Sequence, residues 1–359
     1  MSRLVNFNPG PAMLPESVLE IAQSEMLNWQ GTGMSVMEVS HRSKQFMQLR
    51  DETEELLRQL MQIPNDYHVL FLTGGARTQF AAVPMNLLAQ NSQADYLITG
   101  AWSQSAYDEA IRYGKLNVAA RVTTEKLLSV PNQSQWQLNP EARYFYYTPN
   151  ETLLGVELKN IPNVTVPIVA DMTSCILSRD YDVKKFGVIF ASAQKNLGQA
   201  GVTVVIVRKD LLIEPFAYTP SMLDYRIHAK NQSLYNTSPT YAIYIMNLML
   251  RWTKEQGGVP VIMQKNDQKA QYLYHYIDAN NFYKNTVAPE YRSNMNVSFY
   301  LPNKELEAKF VTEAAPAGLL GLKGHSSVGG IRASLYNAMP LAGVEALVKF
   351  MEQFRKENS

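Results

Sequence analysis

Cysteine is nearly absent from this chain: Cys175 stands alone, which excludes an internal disulfide framework and suits a reducing compartment. Histidine is also sparse, and the five present show neither HExxH nor CxxC-type spacing, so no metal centre is expected. Charge of one sign never accumulates. With 33 basic and 32 acidic residues, a net charge of +1 and no block of like charges, nothing points to nucleic acid or an anionic membrane surface, and the expected partner is a small molecule. Long apolar runs are missing too. The greasiest one, residues 241–252, is interrupted by Asn247 and falls short of the roughly 18 to 20 residues that a membrane span needs. Residues 1–11 lack the apolar core of a signal peptide, so a cytoplasmic location is expected. No internal repeat or low-complexity tract appears either.

What is present is the composition of an ordinary folded protein: 359 residues, 46% hydrophobic and 18% charged, enough for two domains and a large core. Residues 1–15 read as an arm rich in turn chemistry, through Asn6, Asn8, Pro9, Gly10 and Pro11. A helix then begins near Glu16, with Val18, Ile21, Ala22, Met26 and Trp29 at three- and four-residue steps. Strand-like runs at 68–73, 95–99, 118–122, 143–148, 164–170, 188–191 and 202–207 are interspersed with helical stretches at 45–61, 81–88 and 103–113. This alternation predicts an α/β fold with a mainly parallel sheet over residues 16–260. Residues 220–233 look less regular, and helices follow at 241–256 and through 269–279. A smaller α+β domain is expected over 261–359, from strands at 296–301 and 331–334 and helices at 304–315 and 343–355.

Lys195 is the centre of this pattern. It follows the apolar run 188–191 and precedes Gly198, Gly201 and a second apolar run, so its ammonium sits on a tight connection between buried strands. Desolvation there disfavours the charged form, which is what an amine needs to attack a carbonyl and hold it as a Schiff base. That window alone fits better a lysine that snorkels from a strand end to water, and the rest of the chain has to decide. A second signal lies at Gly74, Gly75, Ala76 and Arg77, where a strand turns through glycines into a helix whose first N–H groups and positive dipole end suit a phosphate. The motif is neither GxGxxG nor a P-loop, and by itself it also fits a plain strand-to-helix turn. Trp102, Thr152, Asp171 and Lys195 all fall just past predicted strand ends, where ligands collect in open α/β sheets. Together they supply the needs of an aldehyde cofactor that carries a phosphate and a pyridine nitrogen. These are an amine (Lys195), a carboxylate for the ring nitrogen (Asp171), an aromatic face (Trp102) and a phosphate cup (74–77).

A set of ordered motifs then carries a resemblance. They are residues 8–15 (NPGPAMLP), 35–42 (SVMEVSHR), 79–84 (QFAAVP), 149–152 (PNET), 193–196 (AQKN), 323–325 (KGH) and 328–334 (VGGIRAS). Over essentially the whole chain the sequence resembles the phosphoserine aminotransferase family, pyridoxal-phosphate enzymes of aminotransferase fold type I. The resemblance implies a mainly parallel seven-stranded-type sheet in the large domain and pyridoxal 5'-phosphate as cofactor. It implies that Lys195 forms the Schiff base and moves the proton, Asp171 pairs with the pyridinium nitrogen, Trp102 stacks on the ring and Thr152 bonds near its phenolic oxygen. Ala76, Arg77 and Gln194 would hold the cofactor phosphate, joined by Asn236 and Thr237 from the neighbouring subunit of a homodimer with shared sites. Arg332 would grip the substrate α-carboxylate, and His41, Arg42 and His325 would line the pocket for the substrate's phosphate or side-chain carboxylate.

The implied reaction turns 3-phosphohydroxypyruvate and glutamate into phosphoserine and 2-oxoglutarate, a step of serine biosynthesis, with a related step of pyridoxine biosynthesis as a further implication. One position departs from the family pattern, which places an arginine after the histidine of the Lys-Gly-His segment. Ser326 stands there, which removes a charge-assisted contact worth about 1.5–3 kcal/mol unless Arg77 or Lys323 replaces it. Two other readings remain. One is a fold type I enzyme with a different keto-acid acceptor; within it a cysteine desulfurase is disfavoured because Cys175 lies in a stretch predicted to be ordered rather than on a mobile loop. The other is a non-catalytic binding protein on the same scaffold.

Overall fold

β-branched and aromatic residues dominate the strands of the central sheet, and most of their side chains are buried on both faces, as βαβ packing requires. The computed structural model describes residues 3–88, 92–124 and 126–359. In chain order the strands are β1 (Val5–Asn6), β2 (Tyr67–Thr73), β3 (Gln93–Ile98), β4 (Lys115–Arg121), β5 (Ala142–Tyr147), β6 (Asn150–Glu151) and β7 (Val156–Glu157). They continue with β8 (Ile168–Asp171), β9 (Phe186–Ser192), β10 (Val202–Arg208), β11 (Asn296–Phe299), β12 (Leu319–Leu320) and β13 (Ile331–Ser334). Seven of them form one sheet in the order β2-β10-β9-β8-β5-β3-β4. The pairs β3–β4, β3–β5, β5–β8 and β8–β9 are parallel, whereas β10 runs antiparallel to both β9 and β2. That one reversal has a simple cause. Residues 193–201 are too few for the dozen or more that a parallel crossover needs, but ample for an antiparallel return.

The expected alternation is present, with three local differences. The helix after β2 spans Ala76–Leu87, so it begins well before the apolar periodicity of 81–88 suggests. Its first turn (Ala76, Arg77, Thr78) carries no apolar stripe, and Gly75 in extended conformation serves as N-cap. A short helix, Tyr225–Lys230, lies in the stretch that looked irregular; Asp224 caps it by accepting from Arg226 N. The helix Gly258–Asp278 starts directly after Gly257, whose positive φ of 98° ends the preceding helix Thr240–Glu255. It runs unbroken past residue 260, with no linker there.

Two buried clusters on the faces of the sheet make up the larger core, and a third gathers Phe299, Phe310, Leu347, Met351 and Phe354 with Leu273 and Ile277. Truncating a ring such as Phe310, which is fully buried, is expected to cost about 3–5 kcal/mol. Phe7 belongs to this third cluster, because β1 pairs in parallel with β12, Val5 opposite Leu319. The N-terminal arm is therefore tied to the C-terminal part of the chain before it passes the Lys195 turn, where Ala12 N donates to Gln194 O at 2.9 Å.

Candidate active site

The carboxyl ends of β2, β5, β8 and β9 open onto one side of the sheet, the side on which α/β sheets bind ligands. A cavity of about 290 Å³ lies there, lined by Gly75, Ala76, Arg77, Trp102, Thr152, Asp171, Gln194 and Lys195, with Thr148, Asn150, Thr173 and Ser174. Eight residues that the sequence singled out thus come together from five separate chain segments.

Lys195 is buried and its Nζ donates to Thr152 Oγ1 at 2.6 Å. Burial lowers its pKa to about 8; the charges of Asp171 and Glu151 act the other way, and Arg332 adds to the lowering. Asp171 closes β8, and its Oδ1 accepts from Thr173 N at 2.9 Å. Burial raises its pKa, while the Thr173 hydrogen bonds and the Lys195 charge oppose that rise. It is a buried carboxylate with no ion pair among the described residues.

Trp102 stands in the first turn of the helix Ala101–Ala110. Its backbone N–H donates to Glu151 Oε2 at 3.1 Å, its ring lies 5.4 Å from the Arg77 guanidinium carbon, and its buried Nε1 has no partner among the described residues. Across the cavity, the N-terminus of the helix Ala76–Leu87 has no side-chain cap. Gly74 there takes φ 116°, which favours glycine, and Ser192 Oγ donates to Gln194 Oε1 at 2.5 Å beside it. Free backbone N–H groups at an uncapped helix start make an anion cradle.

Arg332, on β13, is buried, and its Nε and Nη1 have no partner among the described residues. Burial lowers its pKa, so the guanidinium is held in a poorly solvated place without a counter-charge. It is outside the lining of the Lys195 cavity, although its charge is felt by Lys195. The other expected residues are not brought to that cavity within one chain. His41 and Thr237 line a different cavity of about 500 Å³, and Arg42 is exposed. Asn236 Nδ2 donates to Thr73 Oγ1 at 3.1 Å, at the end of β2. His325 is exposed, its Nδ1 2.7 Å from Ser327 Oγ.

Sequence reasoning missed Tyr336, whose ring centroid is 5.9 Å from Lys195 Nζ and whose hydroxyl donates to Pro9 O at 2.7 Å. It also passed over Asn150 and Glu151 as positions of their own. The only local signal was that polar residues, Thr148 and Asn150 to Thr152, follow a fully buried strand end, which does not say what any one of them does.

The class of protein follows from comparison with known sequences. The profile of the class-V aminotransferases matches residues 4–347, and the chain belongs to that family. Within it, the chain is similar to curated phosphoserine aminotransferases. It is 53% identical to that of Nitrosomonas europaea, over 100% of each chain, and 53% identical to that of Acinetobacter baylyi, over 98% of each. Solved structures agree. The phosphoserine aminotransferase of Bacillus circulans subsp. alkalophilus superimposes with a TM-score of 0.97 at 46% identity over 99% of each chain. The pyridoxal-phosphate-bound phosphoserine aminotransferase of Trichomonas vaginalis gives 0.94 at 44% identity over 98% of this chain and 100% of that one.

Proposed function

We propose that this chain is a pyridoxal-phosphate-dependent transaminase that makes phosphoserine and 2-oxoglutarate from 3-phosphohydroxypyruvate and glutamate, in serine biosynthesis. The observation that carries the reading is Lys195: a buried amine with a pKa of about 8, facing a cavity that also holds a buried acid and an unpartnered indole N–H. The residues fit the cofactor. Asp171, buried with no ion pair among the described residues, matches a ligand that brings a positive ring nitrogen, and the uncapped start of the helix Ala76–Leu87 matches one that brings a phosphate.

When bound, pyridoxal phosphate supplies an aldehyde for amines and a protonated ring that draws off the electron pair left at the substrate Cα. This chain's residues do the rest. Ala76, Arg77 and Gln194 would hold the phosphate, Trp102 would offer its face to the ring, and Asp171 would keep the ring nitrogen protonated. Lys195, whose neutral fraction grows as pH rises toward its pKa of about 8, would hold the aldehyde, and its Nζ would be the base that moves the proton of the substrate Cα. Thr152 Oγ1, 2.6 Å from that Nζ, holds the amine in place and would bond near the ring's phenolic oxygen. Arg332, with Nε and Nη1 free, receives the α-carboxylate in a bidentate fork, and His41, Arg42 and His325 serve the far end of the substrate.

The reading extends to a cytoplasmic homodimer in which Asn236 and Thr237 of each subunit reach the other's cofactor phosphate, and to no role in nucleic-acid binding. Two observations support the dimer: Thr237 lines a cavity other than that of Lys195, and Leu27, Met34, Met37 and Met47 are exposed apolar residues in the segment around His41. No described helix is long and apolar enough to cross a membrane.

The test is a substrate panel on purified protein. Phosphoserine with 2-oxoglutarate should turn over far faster than serine, with a visible absorption band from bound cofactor. Equal rates for serine would overturn the phosphate assignment, and a colourless protein that binds no pyridoxal phosphate would overturn the whole reading.

A further inference from the structure

Glu151 is fully buried, yet it forms no ion pair among the described residues. Its Oε1 accepts from Ser103 N at 2.8 Å and Ser103 Oγ at 2.7 Å, and its Oε2 accepts from Trp102 N at 3.1 Å. These donors form the first turn of the helix Ala101–Ala110, whose own N-cap, Gly100, has no side chain to offer. A carboxylate from 48 residues along the chain therefore does what an N-cap side chain ordinarily does. Gly100 is needed for this approach: a Cβ there would stand 2.6 Å from Glu151 Cδ.

Capping alone would not require so remote a group. The location suggests more, because the next residue, Thr152, holds Lys195 Nζ at 2.6 Å. Two consecutive residues thus grip the amine on one side of the cavity and the backbone of the indole-bearing residue on the other. We propose that Glu151 is a positioning residue: it fixes the Trp102 ring relative to Lys195 and so sets the plane in which the cofactor lies. This rests on the pyridoxal-phosphate reading above.

Glu151→Gln keeps the shape but turns an N–H toward a donor it must accept from, so one of the three donors loses its acceptor. The expected result is an apparent Kd for pyridoxal phosphate, titrated into apo-protein, weaker by about tenfold, with a reduced visible circular-dichroism band of the bound cofactor. Asn303→Ala is the control, since Asn303 caps the distant helix Lys304–Ala314 by accepting from Leu306 N at 2.8 Å. It should lower Tm and leave both cofactor readings unchanged. If Glu151→Gln also lowers Tm alone, with wild-type Kd and dichroism, Glu151 is only a cap and the proposal falls. Should Glu151→Gln be insoluble, Ser103→Ala, which deletes one donor, is read the same way; a weakened Kd supports the proposal and an unchanged one overturns it. Wild-type protein that binds no pyridoxal phosphate would instead defeat the cofactor reading.

Discussion

A groove of about 470 Å³, larger than the Lys195 cavity, is lined by Glu157, Arg179, Asp267, Arg292 and Asn294. Every one of those groups is engaged. Arg179 pairs with Glu157 at 3.5 Å, Arg292 with Asp278 at 2.6 Å, and Asn294 donates its backbone N–H to Glu157 and its side chain to Asp267. The Lys195 cavity is smaller, about 290 Å³, and its polar groups are less fully used: Trp102 Nε1 is unpartnered, and Asp171 has no cation paired with it among the described residues. A buried polar group left unpaired costs about 1–3 kcal/mol. Volume therefore says less about where a ligand belongs than unspent polarity does, since only a ligand can compensate that cost in the smaller cavity.

The contrast can be broken first at its strongest point. Lys195→Ala should lower turnover by about four orders of magnitude and abolish the visible band of bound cofactor, as read by steady-state kinetics and absorption. Residual activity within tenfold of wild type would mean the small cavity is not the reacting one. Next in size is Arg332→Lys, which keeps the charge and loses the fork; KM for glutamate should rise by about ten- to a hundredfold with a smaller change in kcat. An unchanged KM would place the carboxylate elsewhere.

A pH profile sharpens the comparison further. Because burial lowers the Lys195 pKa from 10.5 to about 8, the neutral amine fraction in apo-protein should grow about tenfold per pH unit below 8 and level off above it. The rate at which pyridoxal phosphate loads should follow that curve, measured by stopped-flow absorption, and a midpoint near 10 would show that the amine is not desolvated. The smallest effect belongs to the groove. Arg179→Met removes the cation paired with buried Glu157 and should cost about 1–3 kcal/mol of stability by denaturant titration, with kcat within about threefold of wild type. A large loss of kcat would show that the groove and the smaller cavity act together.

Much of the site was legible because its groups sit where buried strands end. Lys195 after β9 and Asp171 closing β8 each interrupt an apolar run with an ionisable residue, and Trp102 follows the Gly100 turn after β3. The antiparallel run of β10 was legible in principle, from the short connection of 193–201. Glu151 was not, since its partners lie 48 and 49 residues away and no local period records them. The early start of the helix Ala76–Leu87 escaped for a related reason: its first turn faces the cavity rather than a core, so the apolar period begins only with Phe80. His41, Arg42, His325, Asn236 and Thr237 were named from family resemblance, and a single chain does not bring them to the Lys195 cavity.

The pairing of β1 with β12 sets an order of events during synthesis. Gly10, on the arm that this pairing anchors, packs so closely on the lysine that a Cβ would stand 3.3 Å from Lys195 Cγ. The arm's partners, Leu319 and Leu320, are synthesised long after Val5 and Asn6 and after every residue that lines the cavity. Large domains commonly finish folding as they emerge. Here the arm must wait for Leu319 and Leu320 before the wall beside Lys195 is complete, so a nascent chain stopped short of residue 319 would carry every residue that lines the cavity and still leave the lysine side open.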